Sequence, residues 1–85
     1  MRILALALLL AVTVAAKDAP LVPVNINAAT IAQLKTLPGV GDTMAAAIVR
    51  YREKNGPFRR VEDLLIIRGI SKKRLASWRP YIKLK

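Results

Sequence analysis

Leu37-Pro38-Gly39-Val40-Gly41-Asp42 and, 30 residues further on, Ile67-Arg68-Gly69-Ile70-Ser71-Lys72 are the two stretches on which the fold turns. Each sets a glycine, an aliphatic residue and a small residue between the end of one apolar-periodic run and the start of another. In the first stretch the proline ring disfavours helical geometry at the residue before it, and glycine permits a reversed backbone sign. The aliphatic residue is expected to point inward and fix the loop, while its small neighbours leave the outer surface bare. Backbone N–H groups would then face solvent just ahead of a helix N-terminus, where the helix dipole favours an anion.

Working outward, Ile31, Leu34 and Leu37 recur at threes behind Asn27, a good N-cap residue, and predict a first helix over about 28–36. A second helix starts near Asp42, an acid suited to the positive end of the dipole, and stops at Asn55-Gly56-Pro57. A short third helix over about 61–67 carries Leu64, Leu65 and Ile67, and a fourth over about 72–78 turns Leu75 and Trp78 inward before Pro80. Tyr81, Ile82 and Leu84 then pack back on the bundle. No segment alternates with period two for long enough to predict a strand, so the class is all-α.

The halves repeat with one offset. Ile31 aligns with Val61, Leu34 with Leu64, Leu37 with Ile67, Gly39 with Gly69, Val40 with Ile70 and Gly41 with Ser71. Neither unit alone has a face wide enough to bury, which predicts about four short helices packed as two pseudo-symmetric units, with Tyr51 and Phe58 filling the joint. A lone Trp at helical spacing in so small a domain reads as core, so Trp78 is assigned there rather than to stacking on single strands.

Part of the chain stands apart. Met1 and Arg2 precede an uncharged apolar run over residues 3–16, shorter than the roughly 20 residues a helix needs to cross a bilayer. A basic start, an apolar middle and small residues at Val14 and Ala16 describe a secretory signal peptide cut after Ala16; an uncleaved anchor is the other reading. The expected organisation is a signal peptide over 1–16, an extended lead-in over 17–24 and one domain over 25–85. The location that follows is periplasmic.

The 85 residues include 15 Lys and Arg, 5 Asp and Glu, and no Cys or His, a net charge of +10. The absence of Cys and His excludes thiol chemistry and imidazole bases and nearly excludes zinc. The few acids do not cluster, so neither an enzyme, a cofactor nor a metal site is expected. The charge lies to one side: residues 17–49 hold two bases and two acids, whereas residues 50–85 hold twelve bases against three acids. Such a field attracts polyanions. Lys72, Lys73 and Arg74 crowd the first turn of the fourth helix, where cations oppose the dipole at a cost of about 0.3–1 kcal/mol each. Three unfavourable cations beside an anion-accepting loop read as phosphate contacts, with Arg50 as a helper. The first hairpin offers Asp42, Thr43 and Met44 instead, and Asp42 repels a phosphate. It is therefore expected to give amide contacts and the second hairpin most of the ionic ones.

Taken together, Asn25-Ile26-Asn27-Ala28-Ala29, Leu34 to Gly41, Ile48 to Arg52, Asn55-Gly56-Pro57-Phe58, Val61-Glu62-Asp63-Leu64 and Gly69-Ile70 resemble the tandem helix-hairpin-helix domain of ComEA-type competence proteins over residues 24–82. The resemblance implies a receptor outside the inner membrane that binds double-stranded DNA without sequence preference and helps draw it in during natural transformation, with pilus or inner-membrane channel components as partners and no small-molecule substrate. It places the contacts at Gly39, Val40, Gly41, Thr43, Arg50, Gly69, Ile70, Ser71, Lys72, Lys73 and Arg74. Two residues depart from the pattern: Ser71 replaces a second glycine, and Arg60 stands where a small capping residue is usual. The alternative is a non-enzymatic envelope module whose basic face binds a protein or an anionic membrane.

Overall fold

The computed structural model describes residues 22–85. The expected signal peptide over 1–16, and the lead-in as far as residue 21, lie outside these residues.

The elements run β1 (Val24–Asn25), α1 (Ile31–Leu34), α2 (Asp42–Asn55), a 3₁₀ helix (Val61–Ile66), α3 (Lys72–Trp78), a second 3₁₀ turn (Arg79–Tyr81) and β2 (Ile82–Lys83). Helices thus fill the four predicted places, the third with the tighter 3₁₀ winding. The all-α expectation needs one correction. β1 and β2 form a parallel pair with Val24 opposite Ile82 and Asn25 opposite Lys83, and the Ile26 N–H extends it to the Lys83 carbonyl at 2.9 Å. Two residues are too few to show a period-two pattern, so the strands left no mark in the sequence. With Val24 in β1 and buried, order begins just before the boundary expected at residue 25.

The first helix is shorter than expected and differently capped. Thr30 closes it with a capping box: Thr30 Oγ1 accepts from the Gln33 N–H at 3.2 Å, and Gln33 Oε1 accepts from the Thr30 N–H at 2.9 Å. Asn27 lies in the turn before, where its own N–H donates to Asn25 Oδ1 at 2.9 Å. Its side chain reaches across the domain instead. Oδ1 accepts from the Phe58 N–H at 2.7 Å, and Nδ2 donates to the Phe58 and Leu84 carbonyls at 3.0 and 3.1 Å.

The repeat holds in the core and in the hydrogen bonds. Leu34 and Leu64 are fully buried, as are Leu37, Ile67, Val40 and Ile70 at matching positions, followed by Ala45 with Leu75 and Ile48 with Trp78. In each unit three N–H···O=C bonds recur: Leu37 to Leu34, Val40 to Leu37 and Ala45 to Gly41, against Ile67 to Leu64, Ile70 to Ile67 and Leu75 to Ser71, all between 2.9 and 3.1 Å. At about 1.5–3 kcal/mol per large side chain, this shared core supplies the stabilisation that disulfides cannot give a chain without cysteine. Trp78 is core, and its Nε1–H crosses between units to the Pro38 carbonyl at 2.8 Å. Tyr51 stacks on buried Phe58 with ring centroids 4.7 Å apart.

Candidate nucleic-acid interface

Both turns are built the same way. Gly39 and Gly69 have φ of 83° and 95°, a left-handed geometry that glycine adopts without steric cost. That reversal lets Val40 and Ile70, 7% and 5% exposed, plug into the core while Gly39, Gly41, Gly69 and Ser71 stay at the surface.

One expectation is corrected here. The Val40 N–H donates to the Leu37 carbonyl and the Ile70 N–H to the Ile67 carbonyl, both at 3.1 Å, so neither amide faces outward. These residues hold their turns in shape. Among the described residues, the N–H groups of Gly39, Gly41, Asp42 and Thr43 have no hydrogen-bond acceptor, nor do those of Gly69, Ser71, Lys72 and Lys73. Such groups are the orphan donors of a helix start and the bend before it. Ser71 is the N-cap of α3: its Oγ accepts from the Arg74 N–H at 3.1 Å, leaving its hydroxyl proton free to donate outward. Gly41, in the same place on α2, makes no side-chain cap.

The cations divide into occupied and available. Lys35 Nζ lies 2.7 Å from Asp42 Oδ1, which offsets the charge at the first hairpin. Arg52, counted with the positive field in the sequence, is structural: Nη1 donates to the Ile26 carbonyl at 2.9 Å. Arg79 Nη2 donates to Glu62 Oε2 at 2.9 Å, and this bond, with one from the Glu62 backbone, holds the Glu62 carboxyl below its ordinary value. Asp63 Oδ2 accepts from the Arg59 and Arg60 N–H groups at 3.2 Å each, supplying from inside the helix the cap that Arg60 lacks. Among the described residues, no carboxylate lies within 4.0 Å of Arg50, Arg68, Lys72, Lys73 or Arg74.

Lys72 and Lys73 are exposed at the second hairpin. Thr43 is exposed on the first turn of α2. Arg50 stands apart from the first turn, lining a shallow groove with Lys54, Ile66 and Arg68. Arg74 is half-buried and its guanidinium lies against the first hairpin at Gly39, although its backbone belongs to the second. A single linear repeat does not show this crossing, but the equal rank of Met44 and Arg74 in their helices hints at it. Among the described residues, no group of three or more acidic side chains gathers where a metal could be held.

A family model described as the helix-hairpin-helix motif matches residues 20–83. Endonuclease/exonuclease/phosphatase family domain-containing protein 1 of Rattus norvegicus is 53% identical over 57 residues, 66% of this chain and 10% of that protein. ComE operon protein 1 of Bacillus subtilis (strain 168) is 48% identical over 50 residues, 59% of this chain and 24% of that protein. Kinesin-like protein KIF22 of Xenopus tropicalis is 43% identical over 53 residues, 62% of this chain and 8% of that protein. The chain therefore spans a quarter or less of the length of each of these relatives.

Proposed function

From a chain that belongs to the helix-hairpin-helix motif family, we propose sequence-independent binding of double-stranded DNA through its phosphates. The observation that carries this reading is the pair of bends with unoccupied N–H groups, set beside Lys72, Lys73 and Arg74, which have no carboxylate partner among the described residues. The two hairpins bring different means to the same ligand. The 14-residue helix α2 offers amides backed by a full helix dipole, whereas the seven-residue α3 relies on its cations. Contacts of this kind fix position along a duplex and carry no base information.

The setting we propose is the periplasm, where the protein acts as a DNA receptor for uptake in natural transformation. The basic start and apolar run over residues 1–16 support export. Identity with ComE operon protein 1 and the competence-type motifs support the uptake role. Pilus or inner-membrane channel components are the corresponding partners, and no catalytic step is assigned.

The alternative envelope module has one favourable feature, Ile66, which is 65% exposed beside Arg68. Lying on anionic lipid takes a face of large apolar side chains. Among the described residues only Val22, Ile31 and Ile66 are large and exposed.

Fluorescence anisotropy with unrelated duplexes at 50 and 200 mM salt tests the proposal. Equal affinities are expected for all duplexes, falling on the order of 10³-fold over that range if about six phosphates are neutralised. Lys72→Glu with Lys73→Glu should abolish binding while leaving the fold intact. Affinity insensitive to salt, or co-sedimentation with anionic liposomes in place of DNA binding, would overturn it.

A further inference from the structure

The two hairpins exchange residues across their joint. A Cβ built on Gly39 would meet Arg74 Cζ at 3.1 Å and its Nε and Nη2 at 3.3 Å. Three guanidinium atoms at nearly one distance mean that the planar group turns its face to the bend, so its in-plane N–H bonds point elsewhere. Among the described residues those N–H groups have no acceptor and no carboxylate partner. At the other hairpin a Cβ on Gly69 would meet Met44 Cε at 3.0 Å. Met44 and Arg74 are the third residues of α2 and α3, one repeat apart. The crossing is symmetric in position and unequal in chemistry, since a thioether covers one bend and a cation the other.

We infer that Arg74 is a phosphate-binding residue of the first hairpin, supplied by the second: a phosphate held by the Gly41 to Thr43 amides is also gripped by this guanidinium. The inference rests on the DNA-binding reading and deepens it. The first hairpin needs such a partner, because the first turn of α2 carries Asp42 and no base, and Lys35 is occupied by Asp42. Lys72 and Lys73 remain for the second hairpin. An arginine suits the task, because its fixed fork of donors can address two phosphate oxygens while its face rests on the backbone. The two hairpins then act as one coupled seat, and a change in α3 is felt at the start of α2.

Amide NMR spectra of the chain, titrated with a short duplex at 50 mM salt, test this in wild type, Arg74→Met and the charge-conserving swap Met44→Arg with Arg74→Met. Arg74→Met, which installs the residue found at the matching position, should weaken binding roughly tenfold and lower the salt slope by about 0.9. It should shrink the shifts of Gly39, Gly41 and Thr43 more than those of Gly69 and Ser71. The swap restores net charge but should leave the first hairpin impaired. Shifts at Gly39, Gly41 and Thr43 that are unchanged in Arg74→Met, or restored by the swap, would overturn the inference and leave DNA binding standing. A wild-type chain that fails to bind any duplex would bring down both.

Discussion

Asn27→Ala should be among the most damaging single substitutions that leave the apolar core untouched. The side chain makes three hydrogen bonds, accepting from the Phe58 N–H at 2.7 Å and donating to the Phe58 and Leu84 carbonyls at 3.0 and 3.1 Å. A buried hydrogen bond contributes about 0.5–1.5 kcal/mol net, so losing three costs roughly 2–4 kcal/mol. The residue is half-buried, and water entering the gap holds the loss near the lower end of that range. A domain of this size has a total stability of roughly 3–10 kcal/mol, so the loss is a large fraction of it. At about 4–8 °C per kcal/mol, Tm should fall by roughly 10–25 °C. Urea unfolding followed by the fluorescence of Trp78, the sole tryptophan, reads the change, with the slope m unaltered. The Phe58 amide should lose its protection from hydrogen exchange in the same variant. Removing an ordinary N-cap would instead cost about 1 kcal/mol and loosen only the helix it starts. A loss below about 0.5 kcal/mol, the range of an uninvolved surface position, would refute the reasoning.

The glycines of the bends divide into those the fold needs and one it does not. Gly69→Ala should lower stability by about 1–2 kcal/mol from the positive φ, with Met44 Cε displaced as well. Gly41→Ser, where the new Cβ meets nothing within 4 Å and φ is −99°, should be neutral or stabilising by a few tenths of a kcal/mol as a new N-cap; urea midpoints compare the two variants. Glu62 is held below its ordinary pKa by Arg79, so its contribution to stability is present above the usual glutamate range and is lost as pH falls through the lowered value. The gap in urea midpoint between wild type and Glu62→Gln should therefore close on acidification; a gap that widened below pH 4 would contradict this ordering.

What the sequence disclosed was local or repeated. The 30-residue offset located both bends, the burial of Val40 and Ile70 and the inward turn of Trp78, because each follows from a glycine stop and a spacing of three or four. What it concealed was contact between distant segments. Asn27 looks like a cap from its neighbours alone, yet its partners are 31 and 57 residues away. The β1–β2 pair is too short for any periodicity. The direction of the Val40 and Ile70 amides depends on how tightly each bend closes, which composition does not encode. At the candidate interface, the residue types and numbers were legible, but the cation resting on Gly39 comes from the opposite unit, where no linear scan places it. Lys35 and Asp42 lie seven residues apart and meet only because the bend folds α1 back toward α2.

The pairing of β1 with β2 has one more consequence. The polypeptide enters and leaves the module side by side, about one strand spacing of ~4.8 Å apart. A body whose doorways adjoin can be spliced into a loop of a larger host without prying that host open, because the insert bridges hardly any gap. That geometry suits a unit whose counterparts make up between 8% and 24% of proteins otherwise as different as a kinesin-like protein and ComE operon protein 1.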